Sequence, residues 1–342
     1  ELYLDGHPYR LFIARYNPDG TLNYAKSPSN GLCGAWGISV LSDDSFVING
    51  SYNGPVTFGP GEPNETKLSS SNYSFISRFN PDGTLIWAKE LPFFCQGIAT
   101  LSDDSIALTG KFTGTATFGP GEPNETVITS IGEEDIVVAR YNLDGTFLWV
   151  KLAGGPDFDG HNSSARPISA LPDNSIAVLG QLYGTATFGI GEANETTLGI
   201  TGYENFLIRY NPDGSLRWAK SLNNAIGMRG MALPDNSTVV AGGFNTPVVF
   251  DPGEPNETVL TNIGDKDIFI ARHKEDGSLF WVKQAGGAEA SLFDAVTSLE
   301  NDSIFLTGTF VAPVIFGPGE PNETILDDAQ FEYGCFIAKY IP

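Results

Sequence analysis

Two residue patterns in this 342-residue chain could do chemistry. In PDFDGHN, which starts at Pro156, the oxygens of Asp157, Asp159 and Asn162 fall near alternate positions, and Gly160 can take a sharp turn. That resembles part of a calcium loop, because a hard divalent cation gathers carboxylate and amide oxygens from a tightly turning backbone. The twelfth position, where such a loop carries a bidentate acid, is Ile168. An ordinary polar loop fits the same residues, so calcium is a candidate and no cofactor is required. The second pattern is Asn-Glu-Thr at Asn64, Asn124, Asn194, Asn256 and Asn322, with further acceptor triplets at Asn49, Asn72, Asn162, Asn236 and Asn301. Each could take a glycan on its amide nitrogen from an exposed loop. A turn in which Asn and Thr hydrogen-bond their own backbone accounts for the repeated triplet equally well.

The remaining reactive side chains do not assemble into a catalytic set. Cys33, Cys95 and Cys335 show no CxxC pairing and no His at ligand spacing, which leaves no basis for a zinc site. Cys33 and Cys95 each precede the first strand of successive repeats, so either a disulfide between them or two buried thiols is expected. Paired acids recur at Asp43/Asp44 and Asp103/Asp104, and single ones at Asp19, Asp82, Asp144, Asp213 and Asp276. All lie in turn sequences, where Asp caps backbone N–H groups; glycoside hydrolysis needs one carboxyl raised in an apolar cleft. His7, His161 and His273 stand in unrelated contexts, and no nucleophile elbow or phosphate-binding Gly loop is present. No enzymatic activity is expected.

The composition narrows the partners. A net charge of -22 at a charged fraction of only 18% repels phosphate backbones and anionic lipid, which argues against nucleic acid and membrane partners. No apolar run approaches the roughly 18 residues that cross a bilayer. The sequence starts at Glu1 without Met and reads as a processed or trimmed form.

What positions these residues is an internal repeat. FGPGEPNET begins at Phe58, Phe118 and Phe316, with variants at Phe188 and Phe250. FISRFNPDGTLIWAK from Phe75 recurs in related form from Phe12, Ile136, Phe206 and Ile268, and GIATLSDDSIALTG from Gly97 recurs from Gly37, Pro167, Met231 and Ala295. The last two elements alternate apolar and polar residues about Pro-Asp-Gly and Ser-Asp-Asp-Ser, which predicts two β-hairpins per repeat. The GPGEPNET segment is expected to be the loop that joins them. A four-stranded antiparallel unit cannot bury two apolar faces alone, and radial packing of such units solves that problem. The expected fold is all-β: a five-bladed β-propeller of four-stranded antiparallel blades, forming one domain over residues 1–342. Its repeats run to about 60–70 residues, with partial repeats at 1–26 and 335–342. Trp87, Trp149, Trp218 and Trp281 share one fourth-strand position, with Tyr24 in the first copy, and are expected to fill the wedge between blades.

The strand at Asp267–Arg272, the NPDG turn, the Trp-Ala-Lys end and the following Gly-Ile-Ala strand resemble the bacterial SBBP-type β-propeller repeat. The resemblance implies a secreted or surface-attached protein and no shared catalytic residues.

The repeat is out of phase with the chain. Five inner hairpins meet five outer hairpins plus one surplus strand, Cys335, Phe336, Ile337, Ala338, Lys339 and Tyr340. Either the N-terminal segment completes the last blade within one chain, or the surplus strand completes a sheet in a second chain. The functional expectation is an extracellular, non-catalytic structural protein that self-assembles as a surface scaffold or filament through that strand. The alternative is a multivalent glycan- or protein-binding module.

Overall fold

The computed structural model describes residues 10–29, 31–69, 74–156, 167–222, 224–287, 291–299, 302–311, 313–327 and 334–340. Among them every regular element is a β-strand and every strand pairing is antiparallel. They gather into two compact units, one within Glu1–Pro156 and one within Pro167–Pro342. The loop residues Asp157, Asp159 and Asn162 lie outside the described residues.

In the first unit, strands Leu32–Val40, Phe46–Asn53, Ser74–Phe79 and Leu85–Leu91 follow one another in a four-stranded sheet. Phe94–Thr100, Ile106–Phe112, Asp135–Tyr141 and Phe147–Ala153 repeat the order. The hairpin Ile13–Tyr16/Leu22–Lys26 forms a two-stranded sheet. Both faces of the first sheet are buried, as the doubly apolar strands require. Phe46, Phe75 and Phe79 pack against Leu11 and Ile13 of the hairpin, while Val47 and Ile76 pack against Leu108 and Val137 of the second sheet.

The second unit contains a sheet of Ile168–Ala170, Ile176–Phe188, Thr196–Tyr210 and Leu216–Ser221. Next comes the sheet of Ile226–Ala232, Thr238–Phe244, Asp267–His273 and Leu279–Gly287. The last has three described strands, Ser291–Ser298, Ile304–Phe310 and Gly334–Tyr340, with the final one at its edge.

The structure corrects the expectation of a plain loop between the two hairpins. GPGEPNET is the turn of a further small hairpin, seen as Val56–Phe58 with Thr66–Leu68 and as Thr115–Phe118 with Thr126–Thr129. Its flanks are rich in β-branched residues, which favour a pleated pair, and two successive turns, Glu62 N to Gly59 O and Glu65 N to Glu62 O, reverse the chain. In the third repeat the same hairpin is continuous with the long second and third strands. In the fourth sheet the last strand goes on to pair Ala285–Gly287 with Val314–Phe316, which extends that sheet to six strands.

An arginine at one third-strand position in four of the sheets ties strand to turn; the last sheet has Lys339 there. Arg140 on a third strand is 4% exposed; its Nε donates to Ser105 Oγ at 2.8 Å and its Nη2 to Asp103 Oδ2 at 2.6 Å. Arg78 makes the same pair with Ser45 and Asp43, and its Nη1 also reaches Leu143 O in the next repeat's turn at 3.3 Å. Arg209 and Arg272 do likewise with Ser175/Asp173 and Ser237/Asp235. Arg209 crosses to Glu275 O, and so does the Trp218 indole N–H at 3.0 Å. Trp87, Trp218 and Trp281 thus fill the space between successive repeats, as expected. Gly277 takes φ 86° in that turn, and a Cβ on it would come within 2.8 Å of the Trp218 ring, so two independent constraints require glycine.

Arg140→Ala should lower unfolding stability by about 2–4 kcal/mol, because it strands the Ser105 hydroxyl and empties a buried site. Arg140→Lys should recover only part of this, since a single ammonium cannot reproduce the fork. Denaturant titration of the three proteins tests this, and equal midpoints would remove the arginine from its central place.

Candidate functional site

The recurring polar residues, which carried most of the chemistry proposed for the sequence, are engaged in the scaffold. In the Ser-Asp-Asp-Ser turns the first Asp accepts from the Ser two residues on, as Asp103 Oδ1 does from Ser105 N and Oγ. Burial pushes the Asp103 carboxyl up, but the Ser105 hydroxyl and amide and the Arg140 charge bring it below its ordinary value. At Asp173 the same balance, with Arg209 and Arg217 both close, ends at about 2. The second residue of the pair takes left-handed backbone, with φ between 60° and 64° at Asp44, Asp104, Asn174 and Asn236, a conformation in which Asp and Asn are enriched. It can also reach the neighbouring repeat: Asp104 Oδ1 accepts from Ser42 N at 2.8 Å. The reading of these acids as turn formers is therefore correct and incomplete.

GPGEPNET is used in the same way. Glu62, Glu122 and Glu192 each cap the first amide of a fourth strand, at Leu85, Phe147 and Leu216. Glu122 also pairs with Lys89 of the preceding repeat at 3.1 Å, and Glu320 with Lys283 at 2.6 Å. The Nδ2 atoms of Asn64, Asn124, Asn194 and Asn256 donate to the carbonyls of Leu85, Phe147, Leu216 and Leu279. In those four triplets the Thr hydroxyl returns to the Asn carbonyl, the closed turn that was set against glycosylation. Asn322 keeps the Thr324 contact at 3.1 Å, but its own repeat has only three described long strands, with no fourth strand to receive its amide nitrogen.

Cys33 and Cys95 are unbridged buried thiols, and Cys335 is an exposed one. The disulfide is absent because the two thiols sit in different cores, Cys33 beside Phe46 and Phe75, Cys95 beside Phe93 and Leu108. Cys95 Sγ accepts from Asn49 Nδ2 at 3.2 Å, and burial pushes its thiol up to about 12. Phe336, in the proposed assembly strand, is 4% exposed and packs in the core, while Ile337 beside it is 76% exposed.

Two departures from the repeat carry more information than its shared residues. The first is in the fourth repeat, where Asp251 replaces the glycine found at Gly59, Gly119, Gly189 and Gly317, and His273 replaces Phe79, Tyr141, Tyr210 and Tyr340. Asp251 takes over the strand cap at Leu279 N, and the neighbouring Glu254 pairs with Lys220. His273 is 1% exposed, its Nδ1 lies 3.3 Å from Gly277 O, and its Nε2 has no partner. Burial lowers the His273 pKa against the opposing pull of Asp251 and Glu254.

The second departure is a bulge in the first strand of each long-stranded repeat. Pairing slips between Ala35 and Gly37, between Cys95 and Gly97, between Ile226 and Arg229, and between Phe293 and Ala295. The displaced residues include Trp36, Gln96, Met228 and Asp294, four chemically unlike side chains at one repeated position. A bulge re-aims the side chain it carries. Trp36 is 51% exposed; its Nε1 donates to Ser51 Oγ at 3.3 Å, and its ring stands edge-on to Phe94 at 5.9 Å. The slip in register has no sequence signature of its own.

This chain is 24% identical, over 401 aligned positions, to an uncharacterized WD repeat-containing protein of Acanthamoeba polyphaga mimivirus. The alignment covers 96% of this chain and 28% of that relative. No protein-family model matches the chain. The antiparallel sheets, with no helix among the described residues, and this likeness together fit a β-propeller repeat architecture.

His273→Phe restores the aromatic of the other repeats and should flatten the acid side of the stability profile. Burial makes the native histidine harder to protonate than that of the unfolded chain, so the wild type loses stability as pH falls through about 6.5, by at most about 1.4 kcal/mol per pH unit. Melts from pH 7 to 5 should show the variant gaining on the wild type as pH falls; parallel curves would refute this. When folded protein is offered to an oligosaccharyltransferase, peptide mass spectrometry should find Asn322 the most occupied of the five repeated triplets. Equal occupancy would contradict the engaged geometry of the other four.

Proposed function

We propose that this chain is a non-catalytic extracellular structural protein, a self-assembling surface scaffold or filament subunit built on a five-bladed propeller of the SBBP type. The observation that carries the reading is the edge of the last sheet. Gly334–Tyr340 pairs with Ile304–Phe310 on one side only among the described strands, where the other long-stranded sheets continue to a fourth strand. An unpaired edge is a template for main-chain pairing, and its order of residues makes that pairing specific. Its side chains favour a similar partner: Phe336 anchors the strand in the core and Ile337 faces outward. The partner in this reading is a second copy of the chain, whose strand completes the sheet; a head-to-tail contact of that kind propagates. The scaffold use of the recurring Arg, Asp, Glu and Asn residues supports the same view, because near-identical repeats then serve cohesion.

A second reading, a glycan- or protein-binding module, is favoured by the unlike residues at the first-strand bulges.

Ile337→Asp places a charge on the open edge while leaving Phe336 in the core. Electron micrographs and sedimentation of the variant should show isolated particles where the wild type forms filaments or sheets, with melting temperatures within about 3 °C of each other. Wild-type protein that stays monomeric at high concentration, or assemblies that persist in the variant, would sink the scaffold reading.

A further inference from the structure

From the first-strand bulges of the first unit we infer a binding subsite for a neutral carbohydrate ring, centred on Trp36. This rests on the binding-module reading and does not depend on self-assembly. Trp36 is the only aromatic among the displaced bulge residues Trp36, Gln96, Met228 and Asp294. The indole is pinned at two points: its N–H is held by Ser51 Oγ on the neighbouring strand, and the edge-on Phe94 ring braces it. Half of the side chain nonetheless faces solvent. The other tryptophan with a described burial this different in kind, Trp218, is 8% exposed and wedged between repeats. Packing therefore does not explain Trp36.

A fixed indole face is electron-rich, and the ligand groups it attracts are weakly positive C–H bonds presented in a plane. The axial C–H face of a pyranose offers that surface. Two neutral amides lie on the strands that flank it. Gln96 occupies the equivalent bulge of the adjacent repeat, and its Oε1 is buried with no hydrogen-bond partner. Asn49 is fully buried, its Nδ2 donates to Cys95 O and Sγ, and its Oδ1 also has no partner. A Cβ on Gly37 would lie 2.8 Å from Asn49 Oδ1, so this oxygen lies directly beneath the bulge that carries Trp36. Unpaired amide oxygens are acceptors in want of donors, and sugar hydroxyls donate. The Gln96 amide sits on a soft terminal torsion and can turn to meet a hydroxyl without moving its strand. Asn49, by fixing the Cys95 backbone, acts as a positioning residue for Gln96. The net charge of -22 weighs against an anionic ligand in the same place.

The test uses the full chain and soluble neutral oligosaccharides of glucose, galactose and N-acetylglucosamine, followed by tryptophan fluorescence and calorimetry. At least one series should bind, and Trp36→Ala should weaken that binding about tenfold or more, as loss of a central aromatic anchor does. Trp36→Phe should retain most of it, and Gln96→Leu should cost about three- to tenfold through the lost hydroxyl contact. Because Trp36 is half exposed, Trp36→Ala should melt with the wild type, which separates lost binding from lost fold. Ile337→Asp should keep full sugar affinity, so failure of self-assembly and failure of this site are distinguishable. Silence across all three series at about 10 mM, binding that survives Trp36→Ala, or Trp36-dependent capture of an apolar peptide in place of the sugars would overturn the inference.

Discussion

A guanidinium with 0% exposure, such as that of Arg209, can persist only where its donors are taken up, because a desolvated charge without partners costs several kcal/mol. Its partners here come from three places: the Asp-x-Ser turn of its own sheet, the backbone of the following repeat's first turn, and the backbone of the following repeat's second turn. One cation therefore requires two successive repeats to be folded and in register at once. Arg78 imposes the same condition with Ser45, Asp43 and Leu143. Sheets whose apolar faces are interchangeable could slip against one another, and a forked donor aimed at specific acceptors removes that freedom. The hydrophobic faces supply most of the attraction, and the arginine selects which arrangement they adopt.

The strong acidity of the chain follows from the same architecture. Antiparallel sheets joined by tight turns leave amides at strand starts without partners, and this protein meets them with carboxylates. Asp82, Asp144 and Asp276 cap the amides two residues on, and Glu62, Glu122 and Glu192 reach across to the first amide of a fourth strand. The hydroxyls and amides facing Asp82 and Asp276 hold their carboxyls below the ordinary range. Acid excess is then a consequence of turn design repeated along the chain, and it does not by itself call for a bound cation. Lys89 and Lys283 each meet a Glu of the following repeat, which turns a cap into a second link between neighbours. Cohesion of this kind is local, so stability builds repeat by repeat.

The all-β class, the two hairpins per repeat and the place of the tryptophans were legible because each depends on alternation and turn residues that recur in register. The strand expected from Cys335 to Tyr340 was legible from its likeness to the other third strands, and it forms as Gly334–Tyr340. Three features were not. The hairpin around GPGEPNET hides in segments of three or four residues, too short for alternation to stand out. The Arg-Asp-Ser link joins residues about 35 positions apart, such as Arg140 and Asp103, and no local pattern reports it. Cys33 and Cys95 look adjacent when repeats are aligned, yet each lies on the same face of its own sheet, Cys33 opposite Tyr52 and Cys95 opposite Gly110, so the two thiols enter successive cores.

A repeat that is nearly uniform in its structural residues makes its exceptions informative. Replacing Gly by Asp at position 251 forces a left-handed φ of 50° on a residue with a Cβ, and it is accompanied by a histidine where the other repeats hold a large ring. These two changes lie together, since Asp251 acts electrostatically on His273, so they form one local redesign that preserves the Leu279 cap by a different carboxylate. At the first-strand bulges the backbone departure is retained while the side chain changes from Trp36 to Gln96 to Asp294. Cohesion accounts for Met228, which packs in the core, and not for Trp36 and Asp294, which both face solvent. A backbone feature kept in four repeats, with the side chain varied upon it, is the arrangement expected where a uniform scaffold presents unequal chemistry. If the proposed sugar subsite holds, recognition sits at the bulges and cohesion in the turns, so one repeat can serve both without conflict.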